Sequence, residues 1–121
     1  MKNSVEVINL KKSYGLKEAV KNISFKIKNS EILGLLGPNG CGKTTTIGMI
    51  LGLLKPSSGE ILINGMKIEE NRIDILQKIN FISPYIELPK KLTVKQNLTV
   101  YGKLYNIKNL KSRIDFLVNE L

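Results

Sequence analysis

Residues Gly37, Pro38, Asn39, Gly40, Cys41, Gly42, Lys43 and Thr44 spell G-x-x-x-x-G-K-T, and no other feature limits the fold of this chain as tightly. Such a loop works by gathering backbone N–H groups at a helix start, so it needs a strand to deliver it and a helix to leave from it. Gly37, Gly40 and Gly42 lack a Cβ, which lets the backbone close on an anion with its N–H groups turned inward as a nest. Lys43 adds positive charge between the terminal phosphates of a triphosphate, and Thr44 offers its hydroxyl to Mg²⁺. The flanks fit: residues 31–36 (EILGLL) form an apolar run of strand length, and residues 45–54 read as a helix. The bland alternative is a Gly-rich turn that binds nothing. The strand before it and the helix after it favour the phosphate loop.

Length and composition narrow the setting. A chain of 121 residues suffices for one domain with a real core, burying roughly two-thirds of its unfolded surface, and leaves no room for a second full domain. The longest apolar stretch, residues 47–54, falls short of the roughly 18 residues a membrane span needs. The N-terminus has no signal-peptide pattern, so a cytoplasmic location is expected. Cys41 is the single cysteine, which excludes an internal disulfide and a cysteine-based metal cluster. Nineteen Lys and Arg against ten Asp and Glu give a net charge of +9. The basic residues are scattered, with Lys11–Lys12, Lys26 with Lys28, and Lys90–Lys91 as the tightest groups, and no base-reading motif accompanies them. A solvated surface is the favoured reading and an anionic partner the alternative, and no specific nucleic acid partner is expected.

Along the chain, Val5, Val7, Ile8 and Leu10 suggest a first strand, and Ile23, Phe25 and Ile27 alternate with polar residues as a second. After the loop helix, residues 55–59 (KPSSG) are a breaker cluster. Residues 60–63 and 66–68 then flank Asn64-Gly65, a strong hairpin signal. A short helix is expected over residues 73–77 and a strand over residues 79–83. Thr93 followed by Gln96 predicts a capping box opening a helix to about Tyr105. Leu110, Ile114, Leu117, Val118 and Leu121 fall at helical spacing, predicting a last helix still running at the final residue, as in a chain cut short.

The stretches INLKKSYG, AVKNISFKIKNSEILGLLGPNGCGKTTTIGMILGLLKPSSGEILINGMKI and LTVKQNL, in this order, resemble the ATP-binding cassette (ABC) family of transporter ATPases. The resemblance runs through all 121 residues but covers only about the first half of that family's nucleotide-binding domain, with a helical region starting at about residues 93–121. It implies an α/β fold: a P-loop NTPase-type sheet with N-terminal antiparallel strands and flanking helices, ending before the signature motif and the Walker B strand. It implies ATP and Mg²⁺ as ligands. It places Tyr14 where an aromatic residue stacks on adenine, against the plainer reading of Tyr14-Gly15 as a turn. It places Thr45 at the α-phosphate, beside Thr44 at Mg²⁺.

Two departures qualify the resemblance. The family's glutamine after the strand equivalent to residues 79–83 is missing: Gln77 lies too early and Gln96 sits in the capping box, leaving Ser83 as a weak candidate for Mg²⁺. The Ser-Pro-Tyr variant followed by Leu92-Thr93-Val94 is similar to exporter-type subunits, with residues 85–89 as the surface that meets a membrane permease subunit. The family's signature loop, Asp-Glu strand and switch histidine fall beyond residue 121, and the chain contains no histidine. No catalytic residue is identified, and nucleotide binding without efficient hydrolysis is expected. Without the missing C-terminal half, residues 31–36 should be an unpaired, apolar edge that invites dimerisation. Two alternatives stay open, a non-catalytic module that binds nucleotide or a permease as regulator or decoy, and a small nucleotide kinase sharing only the loop.

Overall fold

Alternating apolar and polar residues draw residues 3–28 into a long antiparallel hairpin, β1 (Asn3–Tyr14) and β2 (Lys17–Lys28), closed at the Tyr14–Lys17 pair. The computed structural model in which it is seen describes residues 3–83, 85 and 87–120. Pro84 of the Ser-Pro-Tyr segment, Ile86 of the expected permease surface and Leu121 of the expected last helix lie outside the described residues.

The chain divides into two units, Met1–Ile79 and Asn80–Leu121. In the first, β3 (Ser58–Ile63) pairs with the other side of β1, and the two-residue β4 (Met66–Lys67) pairs with β3. All four strands are antiparallel, in the order β2-β1-β3-β4. Asn64 and Gly65 take positive φ (51° and 79°) in the turn between β3 and β4, as an Asn-Gly hairpin requires. The side chains of Val7, Leu10, Val20, Ile61 and Ile63 bury against Met49 of α1 (Lys43–Ile50), Ile75 of α2 (Arg72–Leu76) and Ile68. Each such side chain contributes about 1.5–3 kcal/mol on burial. The sheet thus fixes the hairpin against the helix that leaves the glycine loop.

Two expected strands do not form. Residues 31–36 and 79–83 make no ladder with any other segment among the described residues, and Ile32 and Leu36 are almost fully exposed. Extended apolar sequence is a strand only when its N–H and C=O groups join a ladder with a neighbouring strand, and neither segment joins one among the described residues. The exposure of residues 31–36 agrees with the expectation of an unpaired apolar edge. The loop helix also differs, spanning Lys43–Ile50 instead of residues 45–54. It closes in a Schellman arrangement in which Gly52 N–H donates to Met49 C=O and Leu53 N–H to Gly48 C=O.

The second unit is helical. α3 (Val94–Leu104) opens with the expected capping box: Thr93 Oγ1 accepts from Gln96 N–H at 3.2 Å, and Gln96 Oε1 accepts from Thr93 N–H at 2.8 Å. Such a cap is worth about 1 kcal/mol. The buried Asn97 amide donates to the Leu92 and Thr93 carbonyls, holding the approach to the helix. α4 (Leu110–Glu120) follows a turn in which Asn106 and Asn109 have positive φ, and Gly102 of α3 gives room to the Leu110 side chain. Among the described residues, no helix is long and apolar enough to cross a membrane.

Candidate functional site

The glycine loop runs from residue 37 into α1. Asn39 and Gly40 form its turn, and Cys41 N–H donates to Pro38 C=O at 3.3 Å. Gly42 is the last residue before the helix, with φ 95°, and its C=O accepts the first helical bond from Thr46 N–H at 2.8 Å. No side chain caps this helix start and no acidic residue lies in its first turn. A helix start left this way presents backbone donors and positive dipole to an anion.

Lys43 supplies the charge. Its ammonium donates to the carbonyls of Gly37 (2.6 Å) and Pro38 (2.7 Å) and lies 3.7 Å from Cys41 Sγ. No carboxylate pairs with it among the described residues. The lysine therefore bridges the two ends of its own loop and brings a cation uncompensated by an acidic side chain to the loop that a phosphate would enter. Thr44 is exposed and Thr45 half-buried on the first turn, while Thr46 turns into the core.

The wall beside the loop comes from β2. An atom added at the Cβ position of Gly42 would run into the backbone carbonyl of Ala19 and lie 3.1 Å from Val20 Cγ2. A shallow hollow of about 120 Å³ separates Val20, Lys21 and Ile23 from Cys41, Lys43 and Thr46. Tyr14 sits opposite Lys17 at the start of β2, two residues before Ala19, or about 7 Å along the strand. The hairpin thus brings the expected stacking aromatic to the neighbourhood of the loop. The Tyr14 ring is half-exposed, with the Lys12 ammonium over it, 5.1 Å from the centroid.

Ser83, the weak Mg²⁺ candidate, belongs to the second unit, where its Oγ accepts the Tyr85 N–H at 3.2 Å. It lies on the rim of an apolar hollow of about 510 Å³ between Phe81, Leu98, Tyr101, Leu110 and Ile114. That hollow is larger than the one beside the loop, and among the described residues that line it Arg113 is the one cation. Size alone does not select it as a phosphate site. The two aspartates lie elsewhere: Asp74 in the first turn of α2, and Asp115 3.9 Å from Lys95 in the second unit. Sequence reading missed Lys12 and the Ala19–Val20 wall; only the wall lacks a local signal, because it depends on strand register.

The family described as "ABC transporter" matches residues 20–121. The chain is 46% identical over 99 residues to the linearmycin resistance ATP-binding protein LnrL of Bacillus subtilis, covering 82% of this chain and 32% of that protein. It is 39% identical over 118 residues to the bacitracin transport ATP-binding protein BcrA of Bacillus licheniformis, covering 95% of this chain and 37% of that one. The solved structure of CbiO1 from Clostridium perfringens, part of the transporter complex CbiONQ, superposes with a TM-score of 0.79 at 28% identity, over 99% of this chain and 49% of that one. The chain thus spans about a third of the length of these two relatives.

Proposed function

This chain belongs to the ABC transporter family, and from that membership we propose that it carries the Walker A half of the nucleotide site of an ATP-binding subunit that powers export. Gly37, Asn39, Gly40, Cys41 and Gly42 offer backbone N–H groups to the phosphates of ATP, Pro38, which has no N–H, shapes the loop among them, and Lys43 meets the terminal phosphates. Thr44 gives its hydroxyl to Mg²⁺, Thr45 contacts the α-phosphate and Tyr14 stacks on the adenine. The observation that carries this reading is the Lys43 ammonium, held by the Gly37 and Pro38 carbonyls at an uncapped helix start. The donor set fits the ligand: a hard polyanion meets a cation and backbone N–H donors, with no acidic residue in the helix's first turn to repel it.

Bound ATP supplies the phosphoryl group whose transfer to water releases energy. The residues of this chain bind and orient it, and none of them is assigned to activating water. Export is supported by the resistance and antibiotic-transport names of the relatives and by the Ser83-Pro84-Tyr85 segment. Tyr85, 92% exposed, belongs to the surface we assign to a membrane permease subunit at the cytoplasmic face.

Cys41 offers a direct test, since it is exposed, lies inside the loop and is the only thiol. Its reaction with a bulky maleimide is expected to slow several-fold in saturating Mg-ATP and to be unaffected by Mg-AMP, which lacks the β- and γ-phosphates. Equal labelling rates with and without Mg-ATP would refute nucleotide binding at this loop.

A further inference from the structure

Lys12 is the group beside the site that the proposed nucleotide contacts do not use. It stands two residues before Tyr14 on β1, and residues i and i+2 of a strand share a face. Its ammonium makes two contacts at once. It lies over the Tyr14 ring at 5.1 Å from the centroid, and it donates to the Lys55 carbonyl at 2.7 Å. Lys55 lies in the connection between α1 and β3, so one side chain ties the end of β1 to the segment that follows the loop helix.

This tie is reinforced by the backbone. Ser57 N–H donates to Lys11 C=O at 2.9 Å, and Ser13 N–H donates to Ser57 Oγ at 3.0 Å. Three consecutive residues of β1, Lys11, Lys12 and Ser13, are therefore fastened to residues 55–57, and Tyr14 is the next residue along. Lys12 is half-buried, whereas Tyr14 is half-exposed. The anchored residue is thus the lysine, and the ring rests on it.

An aromatic ring has two faces, and a cation held over one of them leaves only the other for a flat ligand. A cation also prefers to stay on the π face it occupies, so it resists rotation of the ring about χ1 and χ2. We propose that Lys12 is a positioning residue for the nucleobase: anchored on the Lys55 carbonyl, it holds the Tyr14 ring in one orientation and selects the single face on which the base of a bound nucleotide stacks. This rests on the reading of Tyr14 as the base-stacking residue, and it adds a residue that acts on the base without touching the phosphates.

The consequence is selective. Loss of Lys12 leaves the phosphate cradle intact and frees the ring, so ligands with a base lose affinity and ligands without one do not. The size expected from a single cation–π contact is roughly three- to thirtyfold in dissociation constant. Arginine can serve in place of lysine, since its guanidinium both donates to a carbonyl and packs over an aromatic face.

The test is calorimetric titration of the full chain with Mg-ATP and with Mg-tripolyphosphate, comparing the parent with Lys12→Met, Lys12→Arg, Tyr14→Ala and the Lys12→Met/Tyr14→Ala double variant. Lys12→Met is expected to weaken Mg-ATP within that range and leave tripolyphosphate unchanged. Lys12→Arg is expected to restore the parent ratio, and the double variant to bind Mg-ATP no worse than Tyr14→Ala alone. Equal weakening of both ligands by Lys12→Met would reduce the lysine to a general brace and overturn the proposal. So would an unchanged ratio in Lys12→Met while Tyr14→Ala collapses it, and in that case base stacking on Tyr14 would stand. If Tyr14→Ala itself leaves the ratio unchanged, the stacking reading fails and the role of Lys12 fails with it.

Discussion

A Gly42→Ala chain is expected to lose its response to Mg-ATP together with a large part of its stability. Gly42 has φ 95°, where a residue with a Cβ is strained by about 1–3 kcal/mol. The added methyl also points at the Ala19 carbonyl and at Val20 Cγ2. A side-chain methyl can rotate away, but the Ala19 carbonyl moves only with the backbone of β2, where Glu18 and Val20 on either side are paired with β1, and such overpacking costs about 1–3 kcal/mol more. The sum, about 2–6 kcal/mol, is a large share of the about 5–15 kcal/mol by which a domain is stable. Relief requires the loop to move off β2, which displaces the N–H groups of the helix start. Urea unfolding with and without Mg-ATP measures both effects. A variant within about 0.5 kcal/mol of the parent that still responds to nucleotide would show that the loop is not seated on β2.

A Gly59→Ala chain is expected to lose comparable stability by a different route. Gly59 has φ 91° and sits in β3 beside an irregularity in β1 between Ile8 and Lys11, where Asn9 takes positive φ. A Cβ here would meet Asn9 C and Ile8 O, each at 2.6 Å, so both neighbours are backbone and neither can yield alone. The β1–β3 pairing must open locally, and it carries Val7 and Ile61 of the core. Because Gly59 lies outside the loop, the fraction of molecules that stays folded is expected to bind Mg-ATP with unchanged affinity. The pair of variants therefore separates damage to the sheet from damage to the site. Loss of binding by folded Gly59→Ala molecules would mean that the sheet transmits strain into the loop.

The loop, the Asn64-Gly65 turn and the Thr93–Gln96 cap were legible in the sequence because each depends on residues within a few positions of one another. The end of α1 was not, because Leu53 and Leu54 continue the apolar pattern while Gly52 stops the helix through two backbone bonds. Residues 31–36 and 79–83 carry strand composition but join no sheet among the described residues, and composition reports burial preference without reporting which strands pair. Among candidate site residues, the glycine-loop octet is legible as a motif, and Tyr14 is proposed from the order of the flanking stretches. The seating of Gly42 on Ala19 was not legible, since it follows from the register of a hairpin distant in the sequence. Lys12 was within reach: a lysine two positions before an aromatic residue at a strand end lies on the same face as the ring.

Thermal unfolding of the chain with and without excess Mg-ATP, with Lys43→Ala measured alongside, bears most directly on whether residues 37–45 bind nucleotide. Ligand at about a hundred times its dissociation constant stabilises the folded chain by roughly 2.7 kcal/mol. Removing Lys43 takes away the cation and leaves the Gly37 and Pro38 carbonyls without that donor, at the point where the phosphates would arrive. A charge-assisted hydrogen bond is worth about 1.5–3 kcal/mol, so affinity is expected to fall roughly ten- to a hundredfold or more. The expected result is a clear rise in midpoint for the parent that is lost in Lys43→Ala at the same ligand concentration. An equal midpoint with and without Mg-ATP in the parent, or an equal rise in both chains, would contradict nucleotide binding through this loop.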